Sequence, residues 1–376
     1  MKSSPQFSLL CLLFSFVAKA LPLIRTKHVN AIFSFGDSYA DTGNFAVLAS
    51  PVLNITIWTS KPPYGETFFH GPNGRCSDGR LVIDFIADEM GLPFLPPYLS
   101  HNESFSRGAN FAVSGATALD FEFFVKNNLT SRDIINSSLR VQLSWFDELK
   151  PSLCSTPGDC WDYFGKSLFV LGEIGGNDYA YMLFFGWSVE QTMAYVPHVI
   201  SVISSAVEML INEGATAIVI PGTWPAGCAP INLAINMNAS IDAYEPQTGC
   251  IKALNELHRS HNIKLRFEIT KLRLRYPHIA LIYTDYYSLT IDFLLFPERF
   301  GFIRAPLMAC CGNGNNQYNI NLTEACGMPG VSACQDPSTY VSWDGAHMTE
   351  AAYRYIASSW LRGPYADPPI LLALRD

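Results

Sequence analysis

Charge is scarce in this 376-residue chain: Asp, Glu, Lys and Arg make up 15% of it, and 25 basic residues face 33 acidic ones. The net charge of −8 becomes more negative still without Lys2 and Lys19. That balance excludes the basic surface on which nucleic acid or an anionic membrane would dock. Beyond the N-terminus there is no evident run of the roughly 20 apolar residues that a membrane-crossing helix needs. The sequence has no C-x-x-C pair and no histidine beside Cys310-Cys311, so it offers no zinc site. It also lacks internal repeats, low-complexity stretches and any linker long enough to divide it. What is plentiful is apolar material, 49% of the residues. That is ample for the core of a single large domain and excludes a disordered chain.

The first twenty residues read as a secretion signal. Lys2 supplies the charge, residues 9–17 the apolar run, and Ala18-Lys19-Ala20 a small-x-small cleavage site. Segment 1–20 is therefore expected to be removed, leaving 21–376 as the folded domain, secreted and without a stable membrane anchor. Asn54, Asn102, Asn128, Asn136, Asn238 and Asn321 each open an N-x-Ser/Thr sequon, and each is a candidate glycosylated surface loop. Of the ten cysteines, Cys11 falls in the leader and nine remain. An odd number in an exported chain predicts several disulfides and at least one free thiol. Pro157-Gly158 can turn the chain between Cys154 and Cys160, the readiest pair, and Cys326 with Cys334 is a second expectation.

Short apolar runs alternate with helical patterns. Segments 31–35, 110–113, 168–171, 215–220 and 279–283 are mostly apolar without alternation, as strands covered on both faces should be. Helical spacing marks residues 81–90, with Asp78 as the expected cap, and also 196–212, 251–275 and 349–361. This succession predicts one α/β sandwich around a parallel sheet. Segments 50–74 and 305–337, rich in Pro, Gly and Asn, read as loops decorating it.

In an open parallel sheet, ligands bind outside the carboxyl ends of the strands. The first strand is followed by Gly36-Asp37-Ser38-Tyr39-Ala40-Asp41-Thr42-Gly43-Asn44, the second by Ser114-Gly115-Ala116-Thr117 and the third by Gly175-Gly176-Asn177-Asp178; near the C-terminus lies Asp344-Gly345-Ala346-His347. Each segment alone has a plainer reading. Asp344 with His347 could be a helix cap beside a surface histidine, Gly115 a turn residue, and Asn177-Asp178 another cap. Together, and in this order, they can supply a serine nucleophile (Ser38), a base (His347) held by a carboxylate (Asp344), and donors for an oxyanion from Ser38, Gly115 and Asn177.

These residues resemble the plant GDSL esterase/lipase family within the SGNH hydrolase superfamily. The resemblance runs from about Ile32 to Tyr353. It rests on Phe35-Gly36-Asp37-Ser38 with Asp41-Thr42-Gly43-Asn44, on Asn110-Phe111-Ala112, on residues 175–178 and on Trp343 through His347. Residues 221–228 and Asn255 with His261-Asn262 are similar to further family segments. Within the family, Pro63-Tyr64-Gly65-Glu66 and residues 74–80 look most like the subgroup of acetylated-alkaloid and sinapine esterases. The resemblance implies a three-layer α/β/α domain with a mostly parallel, five-stranded flavodoxin-like sheet. It implies Ser38 as nucleophile, His347 as base, Asp344 as its orienter, and Ser38, Gly115 and Asn177 as the oxyanion hole, with no metal and no organic cofactor. The absence of a Gly-x-Ser-x-Gly elbow agrees, since that motif belongs to a different hydrolase fold. Met348 departs from the proline that many relatives carry after the histidine, and residues 313–316 from a more glycine-rich stretch.

The expected substrate is a small or medium acyl ester, an acetylated or phenolic plant metabolite or a lipid. Tyr39, Phe121, Phe123, Phe124, Trp224 and Tyr318 are candidate pocket aromatics or simply core. Two other readings stand beside hydrolysis: acyl transfer to an alcohol through the same acyl-enzyme, and a catalytically silent binding protein. A base of ordinary pKa would lose activity below about pH 6.5.

Overall fold

A computed structural model describes residues 28–53, 57–100, 102–129 and 135–375, with positions 50–53 described by backbone alone. The leader and the Asn54 sequon lie outside the described residues. The central sheet contains β1 (Ile32–Ser34), β2 (Gly108–Asn110), β3 (Leu168–Val170), β4 (Ala217–Pro221) and β5 (Ala280–Thr284). A separate small hairpin pairs β6 (Cys311–Gly312) with β7 (Ser332–Ala333), and β8 (Ala366–Asp367) then joins the main sheet. The strand order is β2-β1-β3-β4-β5-β8. The first five run parallel and β8 antiparallel to β5. Five strands are thus where the sequence places them. The sixth was not anticipated, because two residues carry no periodic pattern and β8 exists only through pairing with Tyr283 and Thr284.

Successive strand residues point to opposite faces, and each face has its own core. Phe33, Phe169, Ile218 and Leu281 face one side, with Phe146, Val199, Val207, Leu257 and Leu265 from helices Leu139–Leu149, Val196–Asn212 and Lys252–Arg275. Ile32, Leu168, Val219 and Ile282 face the other, with Ile83, Leu289, Phe293 and Trp360 from helices Val82–Glu89, Tyr286–Leu295 and Glu350–Arg362. This is the three-layer α/β/α sandwich, and burial on both faces is why the strands read as unbroken apolar runs. The segment Val189–Asn212 is long and apolar enough to cross a membrane, which the sequence reading did not anticipate. Its apolarity has a local cause: Val196, Val199, Ile203 and Leu210 pack onto the sheet.

Two boundaries differ instructively. The second strand begins at Gly108, two residues earlier than expected, because only a glycine fits there: a Cβ would lie 1.9 Å from the Ile32 carbonyl oxygen. The chain beyond it stays extended, Phe111 N–H donating to Ser34 at 2.7 Å and Val113 N–H to Gly36 at 3.1 Å. Asp78 does not cap the helix Val82–Glu89. That helix begins at Leu81, whose N–H donates to Asp84 at 2.8 Å. Asp78 instead accepts the N–H of Glu350 at 2.7 Å and tethers the start of the helix Glu350–Arg362.

Disulfides Cys154–Cys160, Cys228–Cys250, Cys310–Cys334 and Cys311–Cys326 are formed. The Cys326–Cys334 expectation is therefore wrong. The β6–β7 pairing sets Ala333 opposite Cys311, so the next residue, Cys334, meets Cys310. Neighbouring cysteines on a strand point to opposite sides, which sends Cys311 to Cys326 instead. Cys76, buried, is the free thiol among the described residues. Of the sequons described, Asn102, Asn128, Asn136 and Asn238 are exposed, whereas Asn321 is half-buried and its amide donates to Glu324 at 2.9 Å.

Candidate active site

All five parallel strands end on one edge of the sheet, and the loops leaving that edge carry the residues singled out above. After β1 the chain turns sharply, Ala40 and Asp41 N–H both closing on the Asp37 carbonyl at 3.0 and 2.9 Å. Ser38 sits in this turn, 8% exposed. Asp41 locks the turn in place. Its carboxylate accepts from the N–H groups of Gly43, Asn44 and Phe45 and from the N–H and hydroxyl of Ser114. One carboxylate thereby joins the Ser38 loop to the Gly115 loop.

The C-terminal loop is held from several sides. His347 Nδ1 bonds Asp344 Oδ2 at 2.8 Å, and the N–H groups of Ala346 and His347 donate to Asp344 Oδ1 at 3.0 and 2.8 Å. The short spacing thus lets one carboxylate fix both the histidine backbone and its ring, so the dyad is more than a helix cap. The cap of the following helix is Thr349, whose hydroxyl accepts from Ala352 at 3.3 Å. Met348, 2% exposed, packs into the core and leaves the dyad intact. Burial alone would raise the Asp344 carboxyl, but the His347 ring and these N–H groups outweigh it and hold it at about 2. Burial works to lower His347. Asp344 and the neighbouring Cys76 thiol outweigh that and raise the ring well above 6.5.

The Ser38 loop is bracketed by its neighbours. Tyr39, next to Ser38, donates its hydroxyl to the Ala346 carbonyl at 2.8 Å, and its ring centre lies 5.7 Å from that of His347. On the other side, Asn177 Nδ2 donates to Asp37 Oδ2 and to the Ala116 carbonyl, each at 3.0 Å. Asn177 begins the helix Gly176–Phe184, entered through Gly175 at φ +110°. Gly115 lies at φ +84°, which a residue with a side chain rarely adopts, and the Tyr181 hydroxyl donates to its carbonyl at 3.1 Å. Gly115, Asn177 and His347 remain half-buried among buried neighbours.

Several groups around this cluster were not anticipated. Tyr64 donates to Asp344 Oδ2 at 2.8 Å, the same oxygen that His347 uses; nothing in the sequence marks that partnership. Glu173 and Asp178 are fully buried acids flanking the oxyanion-hole candidate. The signal of Glu173 was legible in principle, since a glutamate one glycine after the apolar run 168–171 is out of place unless partnered. Burial raises Asp178 to about 7 despite the N–H groups of Leu119 and Ala118, each donating at 2.8 Å. Of the candidate aromatics, Tyr39 and Trp224 lie together, ring centres 5.7 Å apart. Phe124 belongs to the core, Phe123 packs against Tyr195, and Tyr318 lies in a satellite cluster with Ile320. No group of three or more His, Cys, Asp or Glu suited to a metal occurs among the described residues.

The family model of the GDSL-like lipase/acylhydrolases matches residues 32–360. A GDSL esterase/lipase of Arabidopsis thaliana is 46% identical over 365 residues, covering 96% of this chain and 92% of the relative. A second from the same plant is 46% identical over 362 residues, with 94% and 96% covered. The sinapine esterase of Brassica napus is 46% identical over 354 residues, with 94% and 90% covered.

Proposed function

Because the chain belongs to the GDSL-like lipase/acylhydrolase family and is a carboxylic ester hydrolase, we propose that it cleaves a small or medium acyl ester through an acyl-enzyme on Ser38. The observation that carries this reading is the His347–Asp344 pair. With Nδ1 committed to the carboxylate, the ring has one nitrogen left, Nε2, to take a proton. In the reaction, His347 removes the Ser38 hydroxyl proton as the oxygen attacks the ester carbonyl. The imidazolium, held beside Asp344, then gives that proton to the departing alkoxide, leaving acyl-Ser38. Water attacks this second ester, His347 takes its proton and returns it to Ser38, and the carboxylic acid leaves. The developing oxyanion is met by the N–H groups of Ser38 and Gly115 and by the Asn177 amide. One Asn177 proton stays on Asp37; the other, resting on the Ala116 carbonyl, is the one for which the oxyanion competes.

Tyr39 against His347, with Trp224 packed against Tyr39, favours an acyl or alcohol part with an apolar or aromatic face, as in acetylated or phenolic esters. The relative named for sinapine is consistent with that class. Export through the secretory pathway is part of the same reading, supported by the leader pattern, the sequons and four disulfides.

The test is hydrolysis of p-nitrophenyl acetate and butyrate by the protein and by Ser38→Ala. Turnover abolished in the variant supports the acyl-enzyme. Equal turnover in both overturns it. Product analysis with an added alcohol separates water from another acyl acceptor.

A further inference from the structure

Glu173 takes no part in the proposed mechanism, yet it lies at the centre of the oxyanion hole's supports. It follows β3 and is 1% exposed. Its carbonyl accepts the Asp37 N–H at 3.1 Å. Its carboxyl group faces the Asp37 carboxyl and lies against the Gly176 backbone. Space is exact there: a Cβ on Gly176 would fall 2.9 and 3.1 Å from the two carboxyl oxygens. Asp37 in turn accepts from Tyr39 N–H and from Asn177 Nδ2, each at 3.0 Å.

Two carboxylates are both acceptors, so a hydrogen bond between them requires a proton on one. Glu173 Oε1 has no donor in reach from any other group among the described residues. The groups whose charge the pair feels are acids or phenols, Asp178, Asp41, Tyr39, Tyr179 and Tyr286, apart from His347. No lysine or arginine stands among them to neutralise two buried charges, and two unpaired buried anions side by side are prohibitively costly. The bound proton therefore belongs to the fold.

We propose that Glu173, sharing a proton with Asp37, is a positioning residue for the oxyanion hole: a Glu173–Asp37–Asn177 relay that fixes the Asn177 amide and the start of its helix relative to Ser38. Glu173 donates to Asp37, Asp37 remains an acceptor for Asn177, and the same glutamate holds Gly176. The inference rests on the hydrolase reading above.

The experiment compares Glu173→Gln and Glu173→Ala with the unmodified protein. Glutamine reproduces both contacts, donating an N–H to Asp37 and lying against Gly176, but carries no proton that can be lost. Infrared difference spectra at pH 8, unmodified protein minus Glu173→Gln, should show a protonated-carboxyl carbonyl stretch that the variant lacks. Kinetically, Glu173→Ala should lose at least about tenfold in kcat with KM within about twofold, a fraction of the 10²–10³ that loss of an oxyanion donor costs. Glu173→Gln should recover most of that loss. An unchanged infrared band, or equal kcat in the two variants, would overturn the relay. Should Glu173→Ala fail to fold, the infrared comparison and the kcat of Glu173→Gln decide. Failure of the hydrolase reading looks different: the unmodified protein would neither turn over nor be labelled at Ser38 by a fluorophosphonate, while the infrared band would persist.

Discussion

Replacing Tyr64 by Phe removes one atom and leaves the ring, which packs edge-on against Trp343 with centres 5.9 Å apart. Burial and the Asp344 charge hold the Tyr64 hydroxyl well above 10, so it is a donor at every working pH. Its hydrogen bond goes to a charged acceptor at 2.8 Å, a class worth about 1.5–3 kcal/mol. Asp344 keeps its bonds from the His347 ring and from the N–H groups of Ala346 and His347, which places the loss at the lower end. A carboxylate with fewer donors attracts the imidazolium more strongly, so His347 should rise further. At about 1.4 kcal/mol per pH unit, a loss near the lower end corresponds to an upward shift of up to about one unit.

His347 is a base only when neutral, so the acid limb of kcat/KM should already lie above the 6.5 of an unperturbed ring. In Tyr64→Phe it should move up by about half a unit to one unit, while the rate on the alkaline plateau changes little. Stability follows a separate sign. Asp344 is lowered in the folded state, so its contribution is present above about pH 4 and lost as pH falls through about 2. With Tyr64→Phe the lowering is smaller, so that contribution is smaller and its loss is complete at a higher pH. The assay is the pH dependence of p-nitrophenyl acetate hydrolysis from pH 5 to 9, beside urea unfolding at pH 7. An acid limb that stays in place or moves down would refute the argument, whatever the stability does.

Gly115→Ala should lower kcat by about tenfold or more with little change in KM, because the residue holds φ +84° and its new Cβ would stand 3.0 Å from the Tyr181 hydroxyl; an unchanged kcat counts against the oxyanion role. His258 is buried and held neutral, its pKa lowered to about 4 by desolvation. The unfolded chain therefore binds the extra proton first, and stability is lost as pH falls from about 6.5 toward 4. At pH 4.5 the loss is on the order of 2 kcal/mol. His258→Gln cannot titrate, so its urea stability should differ less between pH 7 and 4.5 than that of the unmodified protein; an equal difference refutes the assignment.

The parts legible in the sequence share a physical reason: they are local or periodic. Apolar runs without alternation marked the five parallel strands, because strands covered on both faces need apolar side chains in both directions. Asp344 and His347 were legible as a pair because three residues on a turn bring carboxylate and ring together without help from elsewhere. Cys154 and Cys160 were likewise close in sequence, with a turn between them. The failures were all long-range. Cys326 is nearer Cys334 in sequence than Cys311, yet the β6–β7 register assigns each to another partner. Asp78 had the sequence of a cap for the helix after it, and instead holds Glu350 across the fold. Two-residue β8 has no pattern at all.

By itself, then, the sequence determined the α/β architecture, which follows from composition and period, while its motifs carried the family resemblance that named the candidate residues for acyl chemistry. Tertiary structure alone decided how those residues are poised. Tyr64 reaches Asp344 from 280 residues away, Cys76 stands beside His347, and Glu173 meets Asp37 in a site closed to water. Their effects arise from desolvation and from distances of about 3 Å, and neither exists until the separate loops at the sheet's carboxyl edge are folded against one another.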